Sequence, residues 1–119
     1  MELDKAIEGI LSVRKRLEDA WGNPGQLSDL GNKMSAYNAY LGDHLGQLKA
    51  DREVKKSAAY LELVDTKSAT AADNLARAKV ATITGQVMKL ELMHKDTASQ
   101  VSMIQSRLRV IADEMRGNV

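Results

Sequence analysis

The chain has 119 residues, with 17 Lys and Arg against 16 Asp and Glu, no cysteine, no phenylalanine, and Trp21, Tyr37, Tyr40 and Tyr60 as its aromatics. Such a chain allows one domain but too little aromatic bulk for a thick globular core, so an elongated shape is expected. The absence of cysteine excludes a disulfide framework or thiolate metal site and fits a reducing cytosol, and a net charge of +1 gives no global attraction to nucleic acid, so any such binding rests on local clustering.

The opening stretch MELDKAIEGILSVRKRLEDAW is charged throughout and reads as helix rather than as a secretory leader. No apolar run approaches the roughly 18 residues that a membrane span needs. A membrane partner is therefore not expected, and the cytoplasm is the expected location. Ala6, Ile10, Val13, Leu17 and Ala20 follow a 4-3 spacing, widened by Leu3, Ile7 and Leu11, which predicts a first amphipathic helix over residues 3–20. Trp21, Gly22, Asn23, Pro24 and Gly25 concentrate turn formers and predict a loop.

A second helix is predicted over residues 27–64. Its stripe runs Leu27, Leu30, Met34, Tyr37, Leu41, Leu45 and Leu48, drifts in register over 49–53, and resumes at Val54, Ala58 and Leu61. The polar segment Asp65-Thr66-Lys67-Ser68-Ala69-Thr70 predicts a turn, with Ser68 or Thr70 as cap of the next helix. A third helix is predicted over 70–116, where Ala76, Val80, Ile83, Val87, Leu90, His94, Thr97, Val101, Ile104, Leu108, Ile111 and Met115 keep a heptad alternation. At 1.5 Å per residue such a helix would run roughly 70 Å.

The expected fold is all-α: a short N-terminal helix plus a long antiparallel helical hairpin with coiled-coil packing. Folding about residue 67 brings Gly46 and Ala50 opposite Gly85, as part of a small-residue ridge with Asn38 and Gly42 that would permit close helix approach. The first helix then covers the open end of the hairpin beside Leu27 to Leu41 and Val101 to Met115. The uncovered two-helix end cannot bury its own stripe well, so self-association into a homo-oligomer is expected.

His44 and His94 interrupt apolar stripes at neighbouring levels of that hairpin. Two histidines fall short of the three or four converging ligands of a metal site, so they read as a polar layer that fixes register, and no metal or cofactor is expected. If both are buried, protonation near about pH 6 would loosen the assembly. No nucleophile, paired-carboxylate or glycine-rich phosphate motif can be assembled, so no catalytic residue and no enzyme activity are expected.

The basic residues carry more information. Lys49, Arg52 and Lys56 lie at i, i+3 and i+7 with Lys55 beside them, and Arg77 and Lys79 come alongside if the hairpin pairing holds. Over residues 49–80 seven bases face five acids, an excess that also fits an ordinary mixed-charge helix surface. Lys and Arg grouped this way suit salt-sensitive phosphate contacts, and Tyr60 at the end of the cluster suits stacking on an unpaired base. Tyr37 and Tyr40 are expected to pack against other helices, and Trp21 to cap the bundle end.

Tyr37-Asn38-Ala39-Tyr40-Leu41-Gly42-Asp43-His44, the cluster from Lys49 to Lys56, Ala58 and Tyr60, a polar turn, and a long helix ending Ile104-Gln105-Ser106-Arg107-Leu108 together resemble the UvsY-type recombination mediators of tailed phages. The similarity spans about residues 30–112. It implies a helical, oligomeric protein in the host cytoplasm that binds single-stranded DNA and helps load a recombinase onto strands covered by single-strand-binding protein. On that resemblance the DNA contacts fall on Lys49, Arg52, Lys55, Lys56 and Tyr60, and the oligomer seam falls on the C-terminal heptad residues Val101, Ile104, Leu108, Ile111 and Met115. A protein-binding adaptor or inhibitor acting through an exposed seam, and a structural scaffold, are the rival readings. Trp21-Gly22 is also similar to the motif of secreted WXG-type helical hairpins, but it sits too early and lacks the Trp-x-Gly spacing.

Overall fold

A computed structural model describes residues 1–117, which form four helices: α1 (Leu3–Ala20), α2 (Pro24–Leu63), α3 (Ala69–Lys79) and α4 (Ala81–Met115). No strand occurs among the described residues, and no helix is long and apolar enough to cross a membrane. The protein is therefore all-helical, as its 4-3 spacings predict.

Two boundaries differ from the sequence reading. α2 begins at Pro24, inside the segment predicted as loop, because the Asn23 side chain accepts a hydrogen bond from the Gln26 backbone N–H at 3.1 Å and caps the helix. Proline is well placed at the first helical position, where its missing N–H costs nothing. The predicted third helix over 70–116 is interrupted at Val80, whose φ of −104° and ψ of 12° leave the helical region between α3 and α4. Neither Gly nor Pro marks the break. It heads a run of β-branched residues, Val80, Thr82, Ile83 and Thr84, whose restricted χ1 weakens helix propensity. Between α2 and α3 the chain turns at 64–68, and Ser68 Oγ accepts from the Ala71 N–H at 3.2 Å, the cap chosen from the two sequence candidates.

The chain divides into two compact units. The first comprises residues 1–42 with those from Met93 onward, so that α1 packs with the N-terminal part of α2 and the C-terminal part of α4. Its core is Ala6, Ile10, Val13 and Ala20 of α1, Leu27, Leu30, Met34 and Leu41 of α2, and Thr97, Ile104 and Ile111 of α4. Three helix glycines make room for bulky neighbours: the Tyr37 ring fills the space of a Gly9 side chain, Ile104 Cγ2 stands 2.9 Å from where a Gly31 Cβ would be, and His94 Nε2 stands 2.8 Å from the corresponding point on Gly42. Polar bonds join the same helices. Arg14 donates to Gln100 Oε1 at 2.7 Å and to Thr97 Oγ1 at 3.2 Å, Asn38 Nδ2 donates to the His94 carbonyl at 3.2 Å, and Arg107 donates to the Trp21 carbonyl at 3.0 Å.

The second unit, Asp43–Leu92, holds the remainder of α2, the turn, α3 and the start of α4. Leu45, Ala59, Ala72, Ala76, Val80, Val87 and Leu90 form its core. With two layers of helix and no third, it leaves Val54, Leu61, Met88 and Leu92 each more than 60% exposed.

The expected close approach of Gly46 and Gly85 is not found, since a Cβ at either would meet nothing within 4 Å. The small-residue ridge functions instead at Gly42, with Gly31 and Gly9 beside it in the first unit. Gly46→Ala is therefore expected to raise unfolding free energy by about 0.5–1 kcal/mol through helix propensity alone. Gly31→Leu is expected to lower it by about 1–3 kcal/mol, because Ile104 is stiff at χ1 and cannot swing away. Urea denaturation of both variants checks the pair, and equal effects would contradict this packing.

Candidate functional site

The bases singled out from the sequence lie in the second unit, and the fold brings only some of them together. Arg52, Glu53 and Lys56 of α2 and Arg77 of α3 line a groove of about 500 Å³ together with Val80, Ala81, Thr84, Gly85 and Met88. Val80, where the chain breaks between α3 and α4, is among the residues that line it. Gly85, without a Cβ, keeps its floor low. The Arg52 and Lys56 side chains are only 24% and 32% exposed, so their aliphatic stems lie along the wall while the charged ends reach water.

Lys56 also lines a second groove of about 700 Å³, together with Ser57, Tyr60, Leu61, Ala69, Thr70 and Asp73. Tyr60 is half-buried in its wall. Asp73 and Arg77 link the two grooves through a contact of 3.0 Å between Arg77 Nε and Asp73 Oδ2.

Each base has an acidic neighbour. Glu53 lies 3.6 Å from Arg52 and 3.3 Å from Lys56, Asp51 lies 3.1 Å from Lys55, and Glu62 lies 3.8 Å from Lys79. Lys49 is held by Glu91 at 2.7 Å. Lys49, Lys55 and Lys79 line neither groove, so the predicted cluster of six bases reduces to three that share one surface. These exposed pairs contribute little to stability and exchange readily for another anion.

The hydrogen bond and charge of the Lys49 ammonium, aided by Arg52, hold the Glu91 carboxyl below the ordinary carboxylate range. The folded-state value lies below the unfolded one, so the pair's small stabilisation is present above the ordinary range and is lost as pH falls through the lowered value. In an NMR pH titration Glu91 is expected to titrate below the ordinary carboxylate range, and Lys49→Gln to raise it. An ordinary value in the unaltered chain would contradict the pairing.

The residues read as an oligomer seam are largely enclosed by the chain itself. Ile104 and Ile111 are buried in the first unit, Val101 and Leu108 line a small groove with Ser28, Gly31, Asn32 and Ser35 of α2, and Met115 is 78% exposed. His94 rests over Gly42 in the first unit, whereas His44 belongs to the second, and both are half-buried rather than enclosed. Among the described residues no three His, Asp or Glu side chains come together as a metal site. Sequence reasoning did not single out Asp73, which lines the larger groove. Its i, i+4 spacing to Arg77 was the available signal.

No family model matches the chain, and neither a curated protein nor a solved structure is significantly similar to it.

Proposed function

We propose that the chain is a non-enzymatic, self-associating helical protein that binds single-stranded DNA through the second unit and serves as a phage-type recombination or replication accessory, with a recombinase or single-strand-binding protein as partner. The convergence of Arg52, Lys56 and Arg77 on one groove, with Tyr60 in the groove beside it, carries this reading. Phosphates replace the exposed carboxylates on the cations, and an unpaired base stacks on Tyr60, a combination that needs no sequence readout. The helix pair continues as an antiparallel coiled-coil hairpin in this reading. Self-association runs through the apolar residues that the protomer leaves open, Met103, Val110 and Met115 of α4, since Ile104 and Ile111 are enclosed. Joining several copies multiplies a weak groove into an avid surface.

A second reading, a protein-binding adaptor without nucleic acid, is favoured by one observation: Val54 and Leu61 on α2, and Met88 and Leu92 on α4, are large, apolar and exposed. The two readings part on charge. With three phosphate contacts, affinity for a labelled single-stranded oligonucleotide is expected to fall roughly 20-fold between 50 and 200 mM salt, from a slope of about −0.7 per contact. Charge reversal of Arg52, Lys56 and Arg77 together is expected to abolish binding, neutralising Lys49, Lys55 and Lys79 to weaken it only modestly, and Glu53→Gln to strengthen it by removing the competing carboxylate. Anisotropy over a salt series, with native mass recorded in parallel, measures all of this. No binding at low salt by the assembled protein would overturn the DNA reading in favour of the adaptor.

A further inference from the structure

The two grooves of the second unit are different in chemistry and share a boundary. Lys56 lines both, and the Arg77–Asp73 pair joins them, with Arg77 in the smaller groove and Asp73 in the larger. Resting on the strand-binding reading, we propose that the grooves form one receptor for a two-nucleotide step of unpaired DNA, and that Asp73 selects guanine for the base held beside Tyr60.

The geometry assigns each part of the step. A phosphodiester between two nucleosides carries one negative charge with a base on either side. Lys56 and Arg77 stand where the grooves meet, the place for that charge, and the guanidinium fork and the ammonium both favour phosphate oxygens. Apart from its charged residues Arg52, Glu53, Lys56 and Arg77, the smaller groove is lined by Val80, Ala81, Thr84, Gly85 and Met88, a largely apolar surface that accepts the flat face of any base. The larger groove offers the Tyr60 ring for stacking and, beside Ser57 and Thr70, the Asp73 carboxylate for a base edge.

An ionised carboxylate only accepts hydrogen bonds, and its two oxygens present about four lone-pair positions, so the contact with Arg77 leaves capacity for a ligand. On its Watson–Crick edge guanine alone presents two adjacent N–H donors, at N1 and N2, which match a carboxylate. Adenine and cytosine present an amino group next to a ring nitrogen acceptor, which the carboxylate repels, and thymine presents one imino N–H between two carbonyls. The same edge is occupied in a duplex. Recognition by Asp73 therefore demands an unpaired base and supplies strand selectivity in the same contact.

The test uses the full chain with three labelled single strands of equal length: thymine only, isolated guanines at every third position in thymine, and hypoxanthine at those positions, which lacks only the N2 amine. The guanine strand is expected to bind about fivefold tighter than the other two, the effect of roughly one net hydrogen bond. Asp73→Asn is expected to erase that preference while leaving affinity for the thymine strand equal or slightly higher, because a negative charge has gone. Gly85→Leu, which raises the floor of the smaller groove without altering charge, is expected to weaken all three strands severalfold, with circular dichroism showing that both variants remain helical. Equal binding of the three strands, a guanine preference that survives Asp73→Asn, or indifference to Gly85→Leu would overturn the two-nucleotide receptor and leave strand binding intact. Failure of every strand to bind at low salt would overturn both.

Discussion

Two helices that bury one apolar stripe against each other leave their remaining faces to water unless a third helix covers them, and the properties of this chain depend on where that third helix lies. In the first unit α1 supplies it: Ile10 and Val13 join Leu27, Met34, Leu41 and Ile104 in an enclosed core. In the second unit α1 takes no part, and Leu45, Val87 and Leu90 are supported by the small residues Ala59, Ala72 and Ala76. Small residues bring helices together with little apolar area per residue, so the core of the second unit gains less hydrophobic stabilisation from each. The two grooves lined by Lys56 and the convergent bases belong to it, together with the exposed Val54, Leu61, Met88 and Leu92.

Polar groups inside the first unit fix how its helices meet. Thr97 is fully buried, yet its hydroxyl donates to the Met93 carbonyl at 2.7 Å and accepts from Arg14, so α1 is tied to α4 at one level of the seam. Asn38, also buried, donates to the His94 carbonyl, while its Oδ1 has no hydrogen-bond partner. A buried polar atom left without a partner costs on the order of 1–3 kcal/mol, and a donor one turn away in register would cost more. Together with the knob-like fit of Tyr37, Ile104 and His94 over three glycines, these bonds reject a slipped alignment more strongly than an apolar stripe does.

Much of this was legible in the sequence where periodicity alone decides. The stripes at Ala6, Ile10 and Val13, at Leu27, Leu30 and Met34, and at Val87, Leu90, Thr97 and Ile104 all face cores, and the polar run ending at Ser68 is a turn. Features set by single side chains across space were less legible. The cap at Asn23 turned an apparent loop containing Pro24 into helix, and the break at Val80 carries no Gly or Pro to announce it. Of the glycines assigned to a helix contact, Gly42 makes one and Gly46 and Gly85 do not, while Gly9 and Gly31 make contacts that were not anticipated, because the deciding factor is which bulky residue arrives from another helix. For the site, spacing along α2 grouped Lys49, Arg52, Lys55 and Lys56 as one face, but Lys49 and Lys55 are drawn aside by Glu91 and Asp51. The groove itself was not legible, since its lining residues come from α2, α3 and α4 and meet only in the folded chain.

Charge in the second unit is nearly balanced, so the proposed site at Arg52, Lys56 and Arg77 requires a ligand that replaces Glu53 and engages Tyr60 at the same time. That requirement locates the interaction as well as defining it. The most direct measurement is an amide chemical-shift map of the full chain titrated with a short thymine–guanine single strand at low salt. Perturbations confined to residues lining the two grooves, in the segments 52–61, 69–73 and 77–88, are the predicted result. Perturbations centred on Trp21, Met103 and Val110, or none at all with the protein assembled, would contradict the account.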